Sequence, residues 1–303
     1  MKPSLTVLLL CWNHERYLAQ CIDALAAQTQ RDFDVVFLDN VSNDGSAELA
    51  ARLLADSGIA HHILKNQRPQ TIAANLNRML GESKGELVSF LSTDDWFSPH
   101  YVEAMTKASL DHDEIGWFSS GAWLYDELND ALGSVEKSSF EGRENIIAEL
   151  LAGNEPFFHA GHCYRRSLLA EIGGWDSDQL LEDGDLFIRL ASRTRHLILD
   201  EKLFNYRTHP NSASRDPAFM IKGFEKFLEK HGSSFLFGMD AILSSRYRLF
   251  AAAHADRRDW KPAATTAWKA IRLRPFRLEN WKTMLYALRS RFMRRRKGPA
   301  SPA

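Results

Sequence analysis

Cysteine is scarce in these 303 residues: Cys11, Cys21 and Cys163 form an odd set with no CxxC pair and no Cys/His ligand spacing. This argues against a disulfide scaffold and a zinc site and suits a reducing compartment such as the cytoplasm, with small buried thiols as the expected state. Long apolar runs are missing too, since none approaches the ~18 uninterrupted residues of a membrane span. The run Leu5 to Trp12 lacks a small-residue cleavage site and breaks at Asn13-His14-Glu15-Arg16, so it reads as a strand rather than a signal peptide. Neither sign of charge prevails. With 38 Lys and Arg against 39 Asp and Glu, the net charge of −1 gives no global reason to expect a nucleic-acid partner. Neither GxxxxGK(S/T) nor GxGxxG stands at a strand-to-helix turn, which leaves no P-loop and no dinucleotide cradle.

What is present is a chain that is 45% hydrophobic, enough for a substantial core. From Ser4 to about Gly121, strand-like runs alternate with helical patterns. SLTVLLLCW, DVVFLD, AHHIL, ELVSFL and IGWFSSGAW are separated by YLAQCIDALAAQ, SAELAARLLADS, TIAANLNRMLGES and PHYVEAMTKASL. Such βαβ alternation predicts an α/β, doubly wound, mainly parallel sheet with helices on both faces. Beyond Trp123 the elements shorten: a hairpin around Asp130 to Ser134, a helix near Glu144 to Leu151, and an acidic loop opening the helix in LLEDGDLFIRLASR. Two strands are expected in HLILDEKLFNYRTH, and from Pro217 onward only helical patterns remain. A soft boundary near residue 215 separates residues 1–215, whose pattern changes at about residue 121, from a helical appendage at 216–303.

In a doubly wound sheet, ligands bind beyond the carboxyl ends of the strands. Those ends here are polar and acidic: Trp12-Asn13-His14-Glu15, Asp39-Asn40 leading into VSNDGS, and Ser92-Thr93-Asp94-Asp95. Asp, Asn, Ser and Gly also serve as turn and cap residues, an explanation that suffices for NDGS alone and weakens for three strand ends together. Adjacent carboxylates repel unless a cation or donors offset them. Magnesium or manganese would do so while keeping positions open for substrate phosphates, which points to a diphosphate ligand.

These segments resemble the family 2 glycosyltransferases, inverting enzymes of the GT-A fold that use nucleotide-activated sugars. LTVLLLCWNHERYLAQCIDALAAQT is similar to their first strand, turn and helix, and DVVFLDNVSNDGS to their second strand with its acidic end. NRMLGESKGELVSFLSTDDWFSP is similar to the helix, strand and metal loop that follow. Glu182-Asp183 in LLEDGDLFIRL resembles the acceptor-side acidic motif, and YRTHPNSAS the basic segment after the last strands. The resemblance spans roughly residues 4 to 214 and keeps motif order. It implies that Asn13 and Glu15 border the nucleotide pocket, that Asp39 contacts the base with Asn40 beside it, and that Asn77 belongs to the donor side. It further implies Asp94, with Asp95 and His209, at a divalent metal (Mg or Mn), Arg207 near the diphosphate, and Asp183 as general base with Glu182 on the substrate side. Ser92 stands where many relatives carry another aspartate. The implied reaction moves a sugar from a nucleoside diphosphate, a UDP-sugar first, to a hydroxyl on a glycan, lipid-linked or protein acceptor in bacterial surface polysaccharide assembly.

The residues themselves allow that chemistry. A divalent ion can stabilise a leaving diphosphate, a carboxylate of raised pKa can deprotonate a hydroxyl, and a single displacement inverts the anomeric centre. Duller roles compete. Asp183 and Asp185 could cap a helix, and Asp185 is read as a cap. His159 and His162 fit a core strand as well as an acceptor lining; Trp96 and Trp175 fit packing as well as sugar stacking, Trp175 being the better stacking candidate. A sugar nucleotidyltransferase would need a Gly- and Lys-rich loop where WNHER stands, and a degenerate sugar-nucleotide-binding or scaffold protein is the alternative motivated by Ser92. The basic cluster Arg289, Arg291, Arg294, Arg295, Arg296 and Lys297 is either a solvated tail or a peripheral contact with anionic lipid at the inner face of the plasma membrane.

Overall fold

The computed structural model describes residues 4–127, 131–135, 160–210, 212, 215–232 and 239–292. The chain divides into two compact units, the first ending at Ser212 and the second taking up the chain from Ala213.

The first unit is built on one mixed sheet. Its strands are β1 (Leu5–Cys11), β2 (Phe33–Asp39), β3 (Ala60–Lys65), β4 (Leu87–Ser92), β5 (Trp96–Phe97), β6 (Trp117–Asp126), β7 (Ala131–Val135), β8 (Cys163–Arg165) and β9 (His196–Thr208). They are ordered β3-β2-β1-β4-β8-β6-β9-β5, with β7 paired to β6. β1, β2, β3 and β4 run parallel, as do β6 and β9, while β8 is antiparallel to both β4 and β6. The helices are α1 (Glu15–Ala26), α2 (Ser46–Ser57), α3 (Ile72–Glu82), α4 (Tyr101–Asp111), α5 (Arg166–Glu171) and α6 (Glu182–Ala191).

All seven residues of β1 are buried, as a central strand covered on both faces requires. Leu5, Val7, Leu9 and Cys11 join Leu18, Ile22 and Leu25 of α1 and Val102 and Met105 of α4 in one cluster. Leu8 and Leu10, which alternation places on the other face, are also buried, and α3 contacts β1 and β2. β3, at the edge, is exposed at five of its six positions, and its AHHILK sequence is polar enough to tolerate that. All three cysteines are free and buried.

Three expectations change. HLILDEKLFNYRTH is one strand, β9, whose pairing with β6 is irregular around Gly121; local bulging accommodates the polar Asp200-Glu201-Lys202 step without ending the strand. The acidic stretch Glu182-Asp183-Gly184-Asp185 is the first turn of α6 rather than a loop before it. Asp185 is therefore not a cap: it is fully buried inside the helix, where its Oδ2 accepts from Arg189 Nε at 2.8 Å, one turn on. The expected hairpin is seen as β6 paired with β7, although Asp130 lies outside the described residues, as do the expected helix Glu144 to Leu151 and His159.

The second unit is helical: α7 (Pro217–His231), α8 (Met239–Asp256), α9 (Trp260–Leu273) and α10 (Leu278–Ser290). Ala255, Ala263 and Ala287 form a small core shared by the last three helices. No helix among the described residues is long and apolar enough to cross a membrane. Residues Arg294 to Lys297 of the basic cluster lie outside the described residues.

Candidate active site

The carboxyl ends of β1, β2 and β4 lie side by side in the sheet, so the polar residues following them meet at one edge. Local hydrogen bonds fasten these turns together. Asn13 takes a left-handed φ of 56°, which asparagine tolerates. Its N–H donates to Ser42 Oγ at 2.9 Å and its Oδ1 accepts from Asn43 N–H at 2.8 Å. Glu15 accepts from Gly45 N–H at 3.0 Å, just ahead of the amino terminus of α2, where the helix dipole favours a carboxylate. Val41 holds a φ of 63°, a strained conformation for a β-branched residue and a sign that the β2–α2 turn is over-determined by its surroundings.

Asp39 is buried, and its Oδ2 accepts from Ser42 N–H at 3.1 Å while Oδ1 has no partner. A buried carboxylate oxygen without a donor is costly, so this atom is suited to a ligand N–H. Asn40 works differently. Its Oδ1 accepts from Asn66 Nδ2 at 2.8 Å and Gln70 N–H at 2.9 Å, and its Nδ2 donates to the Gln70 carbonyl, so it organises the loop after β3. Asn77 likewise grips backbone. It donates to the Trp175 carbonyl at 2.6 Å and accepts from Trp175 N–H at 2.8 Å. Gly174, at φ 68°, lies so close that an added Cβ would sit 2.3 Å from Asn77 Oδ1. Trp175 itself is buried with its ring edge-on to Tyr164 and its indole N–H without an acceptor, so its face is not an open stacking platform.

The turn between β4 and β5 separates the two adjacent aspartates. Asp94 faces His209, whose Nε2 lies 3.1 Å from Oδ2, and His14, whose Nδ1 lies 3.8 Å from Oδ1. Burial alone would raise Asp94, but the hydrogen bond with His209, the charge of His14 and the Ser92 hydroxyl outweigh it and hold the carboxyl below its ordinary value. Asp95 turns inward and accepts from Arg207 N–H at 2.8 Å; burial, and then the charge of Asp94, push its pKa well up. One aspartate ionised and its neighbour inclined to stay protonated removes much of the repulsion the sequence raised.

His14, Asp94 and His209 bring their ligand atoms within 4.8 Å of one another and could hold a metal ion. The donor set fits one: Asp94 Oδ1 is buried without a partner, and burial lowers the pKa of His14 so that it favours the neutral, ligating form. Thr93 fixes the His14 ring. Its hydroxyl donates to the Leu10 carbonyl at 3.2 Å, and its Oγ1 lies 2.9 Å from His14 Nδ1, so the ring is held at the end of β4. Sequence reasoning named the neighbours Asn13 and Glu15 and missed His14, although its place at a strand end was the available signal. Asp95 is not part of this trio.

Arg207 is also committed elsewhere. Its Nε donates to the Asp94 carbonyl at 3.0 Å, Nη1 to Glu127 at 3.2 Å and Nη2 to Gln20, with Tyr17, Trp96 and Tyr125 rings around the guanidinium. It braces the aspartate turn instead of facing an open anion site. On α6, burial raises both carboxyls of the Glu182–Asp183 pair, Asp183 to about 7, and the charge of Asp183 adds to the rise at Glu182. His162 belongs to the core, accepting from the buried Trp117 indole N–H at 2.8 Å.

Comparisons with known proteins agree with this architecture. Residues 6–173 match the family model described as glycosyl transferase family 2. The glycosyltransferase GlyA of Streptococcus pneumoniae is 26% identical over 222 residues, which cover 70% of this chain and 31% of GlyA. The chain therefore spans about a third of that relative. Among solved structures, the mannosyltransferase PcManGT from Pyrobaculum calidifontis, in complex with GDP-Man and Mn2+, superposes with a TM-score of 0.60 at 17% identity, covering 96% of this chain and 86% of its own. TarS residues 1–349 from S. aureus, in complex with UDP-GlcNAc, gives 0.56 at 17% identity, covering 94% and 79%. At such identities the likeness is one of fold. With its motif order, its sheet and a family match over residues 6–173, the chain belongs to glycosyl transferase family 2.

Proposed function

We propose that this chain is a metal-dependent, inverting glycosyltransferase that moves a sugar from a nucleoside diphosphate to a hydroxyl acceptor during surface polysaccharide assembly. The observation that carries the reading is the His14–Asp94–His209 trio at the carboxyl end of β4, with a buried Asp94 oxygen left unpartnered. Those three residues would hold a divalent cation, which when bound offsets the charge that develops on a leaving diphosphate. The two-imidazole donor set favours Mn over Mg, and PcManGT carries Mn2+. Asp39 Oδ1 would accept a base N–H, as the imide of uracil offers; TarS binds UDP-GlcNAc and makes a UDP-sugar the first donor to try.

Asp183 is assigned the general base. A carboxyl at about 7 is half ionised near neutral pH, where it both exists as the base and holds the proton it takes. Burial keeps that value raised, and Arg207 and Asp95 hold the aspartate turn in place. A single carboxylate base corresponds to a single displacement with inversion.

The test is donor consumption across a panel of nucleotide sugars, with Mn, with Mg and after chelation, with the product anomer read by NMR. The proposal expects activity that chelation removes and Mn restores, an inverted anomer, and near-complete loss in Asp94→Asn and Asp183→Asn. Full activity in both variants would overturn the site assignment, and a retained anomer the single-displacement mechanism.

A further inference from the structure

Helix α10 buries its small side and exposes its large one. Asn280, Ala287 and Ser290 face inward: Asn280 Nδ2 donates to the Ala270 and Arg274 carbonyls at 3.0 and 2.9 Å, and Ala287 shares the alanine core. Tyr286 packs against that core, while four large apolar side chains face outward. Leu278 is 62% exposed, Trp281 45%, Leu285 59% and Leu288 43%, and the row continues to Phe292 at 79%. Spacings of three and four residues keep the four helical side chains on one stripe, roughly 15 Å long at about 1.5 Å per residue, with Phe292 in the turn that follows. Phe276, just before the helix, is fully exposed. A continuous apolar row of this size marks a surface made to be covered.

The borders of the stripe select what covers it. By helical position Lys282 and Arg289 run along one border, and Arg277 and Arg291 along the other. The only acid between Phe276 and Phe292 is Glu279, already paired with Arg277 at 3.4 Å. The sequence then continues Arg294-Arg295-Arg296-Lys297. A second copy laid on this stripe would set like charges against like, without the mixed charges that flank a helix–helix seam. Leucine, tryptophan and phenylalanine between basic borders suit a helix lying in the plane of an anionic lipid surface, with the rings at headgroup depth and the cations on phosphates.

We propose that α10 is a docking helix for anionic membrane lipid, seated through Leu278, Trp281, Leu285, Leu288 and Phe292. The proposal is independent of the sugar chemistry, and it differs from attraction by the terminal basic cluster alone in requiring the apolar row. It is tested by sedimentation of the full chain with vesicles of phosphatidylglycerol and phosphatidylcholine, and of phosphatidylcholine alone. Binding is expected to the anionic vesicles and to fall several-fold as salt rises from about 0.05 to about 0.5 M. Leu285→Glu with Leu288→Glu should weaken it at least tenfold, roughly, at positions exposed enough to keep the fold, as circular dichroism and Tm would verify. Lys282→Gln with Arg289→Gln should also weaken it about tenfold. Unchanged binding in the Leu pair would overturn the docking helix. So would equal binding to neutral vesicles, no binding to either kind, or a vesicle-free dimer in ultracentrifugation that the Leu pair abolishes.

Discussion

Replacing Asp183 by Asn should make the protein less active and more stable, and the gain in stability should depend on pH. Burial raises the Asp183 carboxyl from an ordinary 3.8 to about 7. That is about three pH units at about 1.4 kcal/mol each, or about 4 kcal/mol as a ceiling. Partial exposure of the residue to solvent reduces it to about 2 kcal/mol. The sign follows from linkage. A carboxyl raised on folding carries no penalty below 3.8, where both states are protonated; its cost grows above that and is complete once pH passes about 7. Asn cannot ionise and does not pay this cost. In thermal unfolding, Asp183→Asn should raise Tm by about 4–8 °C at pH 8, and by less than half of that at pH 5. The wild-type transfer rate should climb with unit slope in log rate against pH up to about 7 and then level, a profile absent from the residual rate of the variant. An equal Tm gain at both pH values, or a wild-type rate flat between pH 5.5 and 7.5, would refute the reasoning.

Removing the shared carboxylate in Asp94→Asn should weaken Mn2+ binding at least a hundredfold, roughly, and His14→Gln about tenfold, both read from the free-ion electron paramagnetic resonance signal without turnover. Gly174→Ala should cost about 2–4 kcal/mol in urea unfolding, since φ is 68° and the new Cβ would meet Asn77 Oδ1 at 2.3 Å. Combining it with Asn77→Ala should cost less than the sum of the two, because the clash and the clamp on Trp175 share one atom. Thr71 Oγ1 accepts Ala74 N–H at 3.2 Å as the N-cap of α3, so Thr71→Ala should lose about 1 kcal/mol with transfer unchanged.

Much of the first unit was legible because its signals are local. The apolar run Leu5 to Cys11 and the helical spacing of Tyr17, Leu18, Cys21, Ile22 and Leu25 each specify an element, and alternation of such elements implies a parallel sheet. The Asp183 turn was misread as a loop since Asp and Gly, which make up three of its four residues, are poor helix formers in isolation. Packing of Leu186, Phe187 and Leu190, all fully buried, draws the helix start back to Glu182.

Sequence alone determined the order of the elements, the fold class, and which strand ends carry acids. Tertiary structure decided which of those polar groups meet and which way they face. Asp94 and Asp95 are adjacent and alike in sequence, yet one turns toward His14 and His209 and the other toward the backbone N–H of Arg207. Arg207, which the family resemblance placed near an anion, is enclosed by three aromatic rings and binds Gln20, Glu127 and the Asp94 carbonyl. His14 and His209 are 195 positions apart and lie against the same carboxylate only because β1, β4 and β9 belong to one sheet. Propensity and spacing act over a few residues, whereas the direction of a side chain at a strand end is set by partners that the sheet brings from elsewhere in the chain.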